Sequence, residues 1–101
     1  MRFLLKVTVP NEPFNTYVKD GSIDKKMQAI LGDTKPEAAY FTEFNGKRTA
    51  ILIVNMDSLS QIPAIGEPWF LNFNADVEFH PAMSGEDLGK ANLSDIGKKW
   101  K

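Results

Sequence analysis

The sequence feature that most constrains the fold is a hairpin pattern in residues 37–56. Two runs rich in β-branched and aromatic residues, 37–44 and 47–56, flank the dipeptide Asn45-Gly46. Because Asn-Gly accepts positive φ angles at both central positions of a two-residue turn, the pattern predicts a tight antiparallel hairpin. The expected cross-strand neighbours are Glu43 with Arg48, Thr42 with Thr49, Phe41 with Ala50, Tyr40 with Ile51, and Ala39 with Leu52.

Each end of the chain contains one further strand pattern. Residues 3–9 alternate with a period of two, which predicts a half-buried strand. Residues 75–81 show a similar alternation and predict a fourth strand. Helical patterns occupy residues 11–31 and 57–73. The sequence therefore predicts the order strand, helix, strand, strand, helix, strand, or βαββαβ.

The first helical region has an internal discontinuity. We expect Asn11 to cap it, and a kink or a restarted helix at Asp20-Gly21-Ser22, with Ser22 as a candidate cap. Gly32 predicts the C-terminal end of this region.

The second helical region begins at residues 57–58, and Pro63 and Pro68 predict irregular geometry within it. Its aromatic residues recur at helical spacing and predict a stripe that faces the core: Trp69, Phe70 and Phe73. Beyond the fourth strand, Ser84 followed by Asp87 resembles a capping box, which predicts a short C-terminal helix.

Composition narrows the classes of partner. The 101 residues are enough for one domain, residues 1–101, and their net charge of -1 lacks the positive field that nucleic-acid binding needs. The third strand is aliphatic where RNA-recognition domains stack bases on aromatic rings. The apolar runs are far shorter than the ~20 residues of a membrane span. With no cysteine and no signal-peptide pattern, we expect a cytoplasmic protein with no nucleic-acid or membrane partner.

The element order predicts an α+β fold of the ferredoxin-like type. Right-handed crossovers place both helices on one face of a four-stranded antiparallel sheet with strand order 4-1-3-2. The helix-facing residues are then Phe3, Leu5, Val7, Phe41, Leu52, Val54, Val77 and Phe79. The other face, called the open face below, carries Leu4, Lys6, Thr8, Tyr40, Thr42, Thr49, Ile51, Ile53, Asn55, Glu78 and His80. Because this face is too apolar for water alone, we expect a homodimer that covers it, a dimeric α+β barrel.

The chain resembles a small family of uncharacterised bacterial proteins in the dimeric α+β barrel superfamily. That superfamily includes muconolactone isomerase-like and antibiotic-biosynthesis-monooxygenase-like domains. The resemblance covers nearly the whole chain and is carried by residues 14–15, residues 35–43 with Gly46 and Arg48, residues 62–68, residues 74–75, and residues 81–83 with residues 87–88. It implies the fold and dimerisation, and it implies no catalytic assignment because the likeness to the enzymes is one of fold alone.

His80 is the sole histidine and shares a strand face with Glu78, whose carboxylate is placed to orient it. Imidazole titrates near neutral pH, the range of a general base. The alternative is a structural or water-exposed histidine on an edge strand. One histidine with flanking carboxylates lacks the nitrogen donors of a catalytic zinc site, so we expect no metal.

Tyr40 has two interpretations. Its phenolic hydroxyl can serve a carbonyl or an enolate in a ligand, or it can be a satisfied hydroxyl at a subunit interface. Polar side chains on the same face are candidate ligand contacts: Lys6, Thr42, Thr49, Asn55 and Glu78.

Glu67 and the pair of Glu43 with Arg48 are further charged groups whose roles the sequence can suggest. Burial of Glu67, in an apolar segment, would favour its protonated form and suit it to acid–base chemistry, whereas exposure would leave it as a cap or solvating group. Glu43 and Arg48 are expected to form an ion pair across the hairpin.

The sequence contains no glycine-rich phosphate or dinucleotide motif, so we expect no cofactor. The leading hypothesis is a cofactor-independent isomerase or proton-transfer enzyme, with His80, Tyr40 and Glu67 as acid–base candidates. Its substrate would be a small, partly apolar molecule held between sheet and helices or within the dimer barrel. The alternatives are a non-catalytic small-molecule-binding module and a dimeric interaction module.

Overall fold

Strands and helices follow each other in the predicted order, and a computed structural model describes all residues, 1–101. The strands are β1 (Arg2–Val9), β2 (Ala38–Phe44), β3 (Lys47–Asn55) and β4 (Asp76–Pro81). The helices are α1 (Asn11–Asp20), α2 (Ile23–Thr34), α3 (Ile62–Phe73), α4 (Gly85–Lys90) and α5 (Leu93–Lys99), with a 3-10 turn at Leu59–Gln61. None of these helices combines the length and apolarity that crossing a membrane requires.

The strands form one antiparallel sheet in the order β2-β3-β1-β4, which is the predicted ferredoxin-like arrangement. The hairpin register is confirmed, with Glu43 opposite Arg48 and Tyr40 opposite Ile51. Asn45 and Gly46 have φ angles of 54° and 77°, the left-handed conformation that a two-residue hairpin turn requires.

The core lies between the sheet and the first three helices. Alternate residues of β1 and β3 supply its floor: Phe3, Leu5, Val7, Val9, Ala50, Leu52 and Val54. Phe73 of α3 is fully buried and joins α3 to α1, because its ring centroid lies 5.4 Å from that of Phe14 and 6.0 Å from that of Tyr17. The alternation predicted for both central strands is therefore confirmed.

The first helical region is divided as predicted, but its caps differ from the prediction. Glu12 has an extended backbone (φ -112°, ψ 139°), so the regular turns begin after it and Asn11 does not cap them. Ser22 occupies the N-cap position of α2, yet its hydroxyl makes no hydrogen bond.

The predicted stop at Gly32 is wrong. Helix α2 continues to Thr34, and Lys35 ends it by adopting a left-handed conformation with φ of 48°. The N–H of Lys35 then donates to the carbonyl of Leu31 at 2.8 Å. A glycine permits this conformation at the lowest cost, but a lysine adopts it here.

The second helical region is more regular than predicted, since α3 runs without a break across Pro68. Trp69 and Phe73 are buried as expected, whereas Phe70 is exposed. The capping box is confirmed. The N–H of Asp87 donates to Ser84 Oγ at 3.1 Å, and the N–H of Ser84 donates to Asp87 Oδ2 at 3.0 Å. The bond from the N–H of Ser84 favours the ionised carboxylate and is the largest cause of the lowered pKa of Asp87.

The C-terminal segment with α4 and α5, called the C-terminal arm below, extends away from the body. The radius of gyration is 17.0 Å, against about 13 Å for a compact chain of this length. The arm exposes several large apolar side chains: Leu88, Leu93, Ile96 and Trp100.

Candidate functional site

The open face gathers most of the residues that the sequence singles out. In one row across the sheet, Tyr40 lies opposite Ile51, Ile51 opposite Lys6, and Lys6 opposite Glu78. The neighbouring row carries Thr42, Thr49, Thr8 and Asp76 in the same way. Thr49 differs from the expectation for a ligand contact on this face, because it is only 3% exposed and its hydroxyl donates to the carbonyl of Lys47 at 3.1 Å. Tyr40 is 67% exposed, and the helices lie on the other side of the sheet. The expected mixture of apolar and polar groups on one uncovered face is therefore present.

His80 and Glu78 contact each other on this face. His80 Nε2 lies 3.1 Å from Glu78 Oε1, and both side chains are about half exposed. The pair is on the edge strand β4, with Leu4 as the neighbour of His80 on β1. Nowhere does the protein bring three or more His, Asp or Glu side chains together in an arrangement that could hold a metal ion.

Asn55 is engaged in an internal network at one end of the open face. Its amide donates to Glu37 Oε1 at 2.6 Å, and the Arg2 guanidinium donates to the same oxygen at 2.9 Å. These hydrogen bonds, that of Asn55 first, lower the pKa of Glu37. Lys6 places its ammonium 4.6 Å from the ring centroid of Phe44, not on a carboxylate.

Glu67 is separated from the other acid–base candidates. It is exposed on α3, which packs on the helix side of the sheet, whereas Tyr40 and His80 lie on the open face. The chain by itself therefore brings Tyr40 and His80 to one face and leaves Glu67 on the other side. Sequence spacing could not show this separation, because it depends on which side of the sheet α3 packs.

A pocket of about 400 Å³ lies on the helix side of the sheet, beside the edge strand β2, and is called the helix-side pocket below. Its walls are mostly apolar and consist of Val9, Phe14, Met27, Phe41, Thr42, Arg48, Thr49, Ala50 and Trp69. Phe41 was expected to face the helices and does line this pocket, but it is 58% exposed because the helices do not cover β2 completely.

Arg48 is the only charged residue in the wall of the helix-side pocket. The expected ion pair with Glu43 is wrong, because Glu43 Oε2 accepts from the backbone N–H of Gly46 at 2.8 Å instead. Arg48 Nη1 donates to Asn15 Oδ1 at 2.7 Å, and the guanidinium lies 4.6 Å from the centroid of Phe14. The sequence carried one signal for this placement: Arg48 shares its strand parity with the buried residues Ala50 and Leu52.

Trp69 forms another part of the pocket wall and was expected only as a core residue. It is 1% exposed, and its indole N–H has no hydrogen-bond partner in the protein. A buried donor without an acceptor is costly, by about 1–3 kcal/mol, and such groups are uncommon in native proteins. No sequence pattern distinguishes this tryptophan from an ordinary core residue.

The sheet order and the helices on one face define a ferredoxin-like α+β protein. A scan against protein-family models gives no match, and a search of curated proteins gives no significant match. The resemblance to the uncharacterised bacterial family therefore stays a prediction, and the function rests on the geometry of the two faces.

Proposed function

We propose that the protein binds a small, partly apolar molecule in the helix-side pocket. The observation that carries the proposal is a concave, mostly apolar wall whose few polar residues are Thr42, Arg48 and Thr49. Binding sites for small molecules commonly combine apolar walls with a small number of placed polar groups. Because the wall contains no carboxylate, histidine or tyrosine, this composition favours binding over acid–base catalysis.

Fluorescence of Trp69 tests this proposal directly. The protein has two tryptophans, so a Trp100→Phe variant leaves Trp69 as the only indole. We expect phenylacetamide, a neutral aromatic probe, to change that emission with a dissociation constant of about 1 mM. Ala50→Leu should fill the pocket and abolish the change, whereas Ala64→Leu on the exposed side of α3 should not. The absence of any saturable change would contradict the proposal.

We also propose that two copies associate through the open face. The support is the exposed Tyr40 beside half-buried Ile51, Ile53 and Leu4, with further exposed apolar side chains on the C-terminal arm. Two-fold pairing buries the same face of both copies at once. Light scattering at micromolar concentration should give about twice the chain mass of 11.3 kDa. Ile51→Glu should give the single-chain mass, and Leu71→Glu, an exposed position on α3, should leave the dimer intact. A wild-type monomer would exclude this arrangement.

A second candidate function is proton transfer, with His80 and Tyr40 as the acid–base groups. It is favoured by the contact of His80 Nε2 with the Glu78 carboxylate at 3.1 Å on the open face. Tyr40 on β2 and His80 on β4 lie at opposite edges of the sheet, so these two groups, like Glu67, would act on one substrate only if a partner copy brought them close. Exchange of the acidic protons of phenylacetone in deuterium oxide, followed by NMR, separates the two functions. A catalyst should lose about 100-fold or more of its rate in His80→Ala or Tyr40→Phe. A binding protein should give no exchange above the rate in buffer.

A further inference from the structure

Arg48 has no carboxylate partner within the chain. The protein contains three ion pairs between permanently charged side chains, Arg2 with Glu37, Lys90 with Glu86 and Lys98 with Asp95, and Arg48 is in none of them. Its nearest cross-strand acid, Glu43, is occupied by the N–H of Gly46. A guanidinium has five N–H donors, and its contact with Asn15 uses one of them. The remaining donors are available to an acceptor that enters the helix-side pocket.

The guanidinium is held in place by two consecutive residues of α1. Asn15 accepts its hydrogen bond at 2.7 Å, and the ring of Phe14, also in the pocket wall, lies 4.6 Å away. Restricting a long side chain before binding lowers the entropy that a ligand must offset. Arg48 is exposed, but these two contacts restrict its guanidinium at the pocket wall before a ligand binds.

The chemistry of Arg48 specifies the acceptor. Its remaining donors suit a ligand group that brings acceptor oxygens and no donors, which is the hydrogen-bonding character of a carboxylate. Trp69 belongs to the same pocket wall and is 1% exposed, and its N–H is buried without an acceptor, so its contribution to the wall is apolar surface.

We infer that the ligand class is a small monocarboxylic acid with an apolar body. Arg48 would bind the carboxylate, and Phe14, Phe41 and Trp69 would contact the apolar part. One cation in an otherwise uncharged wall matches a single negative charge. A volume of about 400 Å³ corresponds to about a dozen waters in the liquid, which accommodates an acid of about ten non-hydrogen atoms. This inference rests on the proposed binding function and specifies its ligand.

Phenylacetate and phenylacetamide, which have the same shape and differ in charge, provide the test. In the Trp100→Phe background, we expect Trp69 emission to report at least tenfold tighter binding of the acid than of the amide. Arg48→Gln should remove that preference, so that the acid and the amide bind with similar affinity. Arg48→Lys should keep part of it, because a lysine retains the charge without the planar fork. Lys47→Gln, which removes the same charge outside the pocket wall, should leave the preference intact.

The outcomes separate this inference from the binding function itself. Equal affinity for the acid and the amide would overturn the carboxylate assignment while leaving the pocket as a binding site. An acid preference that survives in Arg48→Gln would overturn the role of Arg48. Failure of both probes to bind would overturn the proposed function as well. If circular dichroism shows that Arg48→Gln does not fold, Arg48→Lys provides the test instead. An acid preference in Arg48→Lys as large as in the parent protein would contradict binding of the carboxylate by the two-pronged guanidinium of Arg48.

Discussion

Arg48 on β3 donates a hydrogen bond of 2.7 Å to the side-chain oxygen of Asn15 on α1. The contact joins residues 33 positions apart and holds the guanidinium beside Phe14, in the wall of the helix-side pocket. It replaces the ion pair with Glu43 that the hairpin register alone would suggest. An arginine on the helix side of the sheet is thus retained by an amide and an aromatic ring and keeps donors free.

Asn15→Ala should weaken phenylacetate binding by about three- to tenfold, since the net contribution of a typical hydrogen bond is about 1 kcal/mol. The reason is the lost orientation of Arg48, so phenylacetamide affinity should not change. Trp69 emission in the Trp100→Phe background measures both affinities. Asn11→Ala is the matched control, because Asn11 makes no side-chain hydrogen bond in α1. An equal loss for both probes would indicate damage to the pocket rather than to Arg48.

Trp69→Ala should lower the free energy of unfolding by about 3–5 kcal/mol, because it removes a large side chain from a packed core. Trp69 is 1% exposed and packs against Phe73 with ring centroids 5.8 Å apart. Leu71→Ala, in the same helix but exposed, should change stability by less than about 0.5 kcal/mol. Urea denaturation followed by circular dichroism measures both. Similar losses for the two variants would contradict the assigned faces of α3.

Two glycine substitutions should have opposite effects. Gly46→Ala should destabilise the protein by about 1 kcal/mol, since φ of 77° at the hairpin turn is unfavourable for a residue with a Cβ. Gly32→Ala should stabilise it by about 0.5–1 kcal/mol, because Gly32 lies within α2 and a Cβ there meets no atom within 4 Å. Thermal unfolding of the two variants checks the signs. A loss of stability in Gly32→Ala would favour the helix end that the sequence suggested.

The pKa of Glu37 should rise toward its ordinary value in Asn55→Ala. The hydrogen bond from the Asn55 amide makes the largest contribution to lowering that pKa. A lowered pKa in the folded state means that the carboxylate favours folding above its unfolded-state pKa. That contribution is lost as the pH falls through the folded-state pKa of Glu37. The free energy of unfolding of Asn55→Ala should therefore change less with pH over this range. Carbon NMR of the Glu37 carboxyl measures the shift, with Asn11→Ala as the control. An unchanged titration would show that Arg2 alone sets it.

Much of the fold could be predicted because its signals are local. The Asn45-Gly46 turn sets the register of β2 against β3, and alternation assigns Leu5 and Leu52 to the core side. The errors at Gly32 and Phe70 concern a helix end and the edge of a helix face. At Gly32, the preference of glycine for a helix end was overridden because the left-handed residue is Lys35. At Phe70, the preference of an aromatic ring for the core was overridden by the packing of α3.

The candidate site was less accessible from sequence. The alternation of side chains along each strand placed Tyr40, His80 and their polar neighbours on one face of the sheet. The catalytic and binding roles assigned to them stay predictions. The helix-side pocket was not located by sequence reasoning, although a ligand between the sheet and the helices was considered. Its walls come from β1, β2, β3 and three helices, and no spacing along the chain relates them.

The sequence by itself determined the order of the elements, the hairpin register and the two faces of the sheet. These features depend on backbone preferences and side-chain alternation, which act over a few neighbouring residues. Only the tertiary structure decided that α1 supplies the partner of Arg48, that Trp69 has an unmatched N–H and that the edge of β2 is left uncovered. Those features depend on how distant segments pack, and packing selects among hydrogen-bond partners that local sequence leaves equivalent.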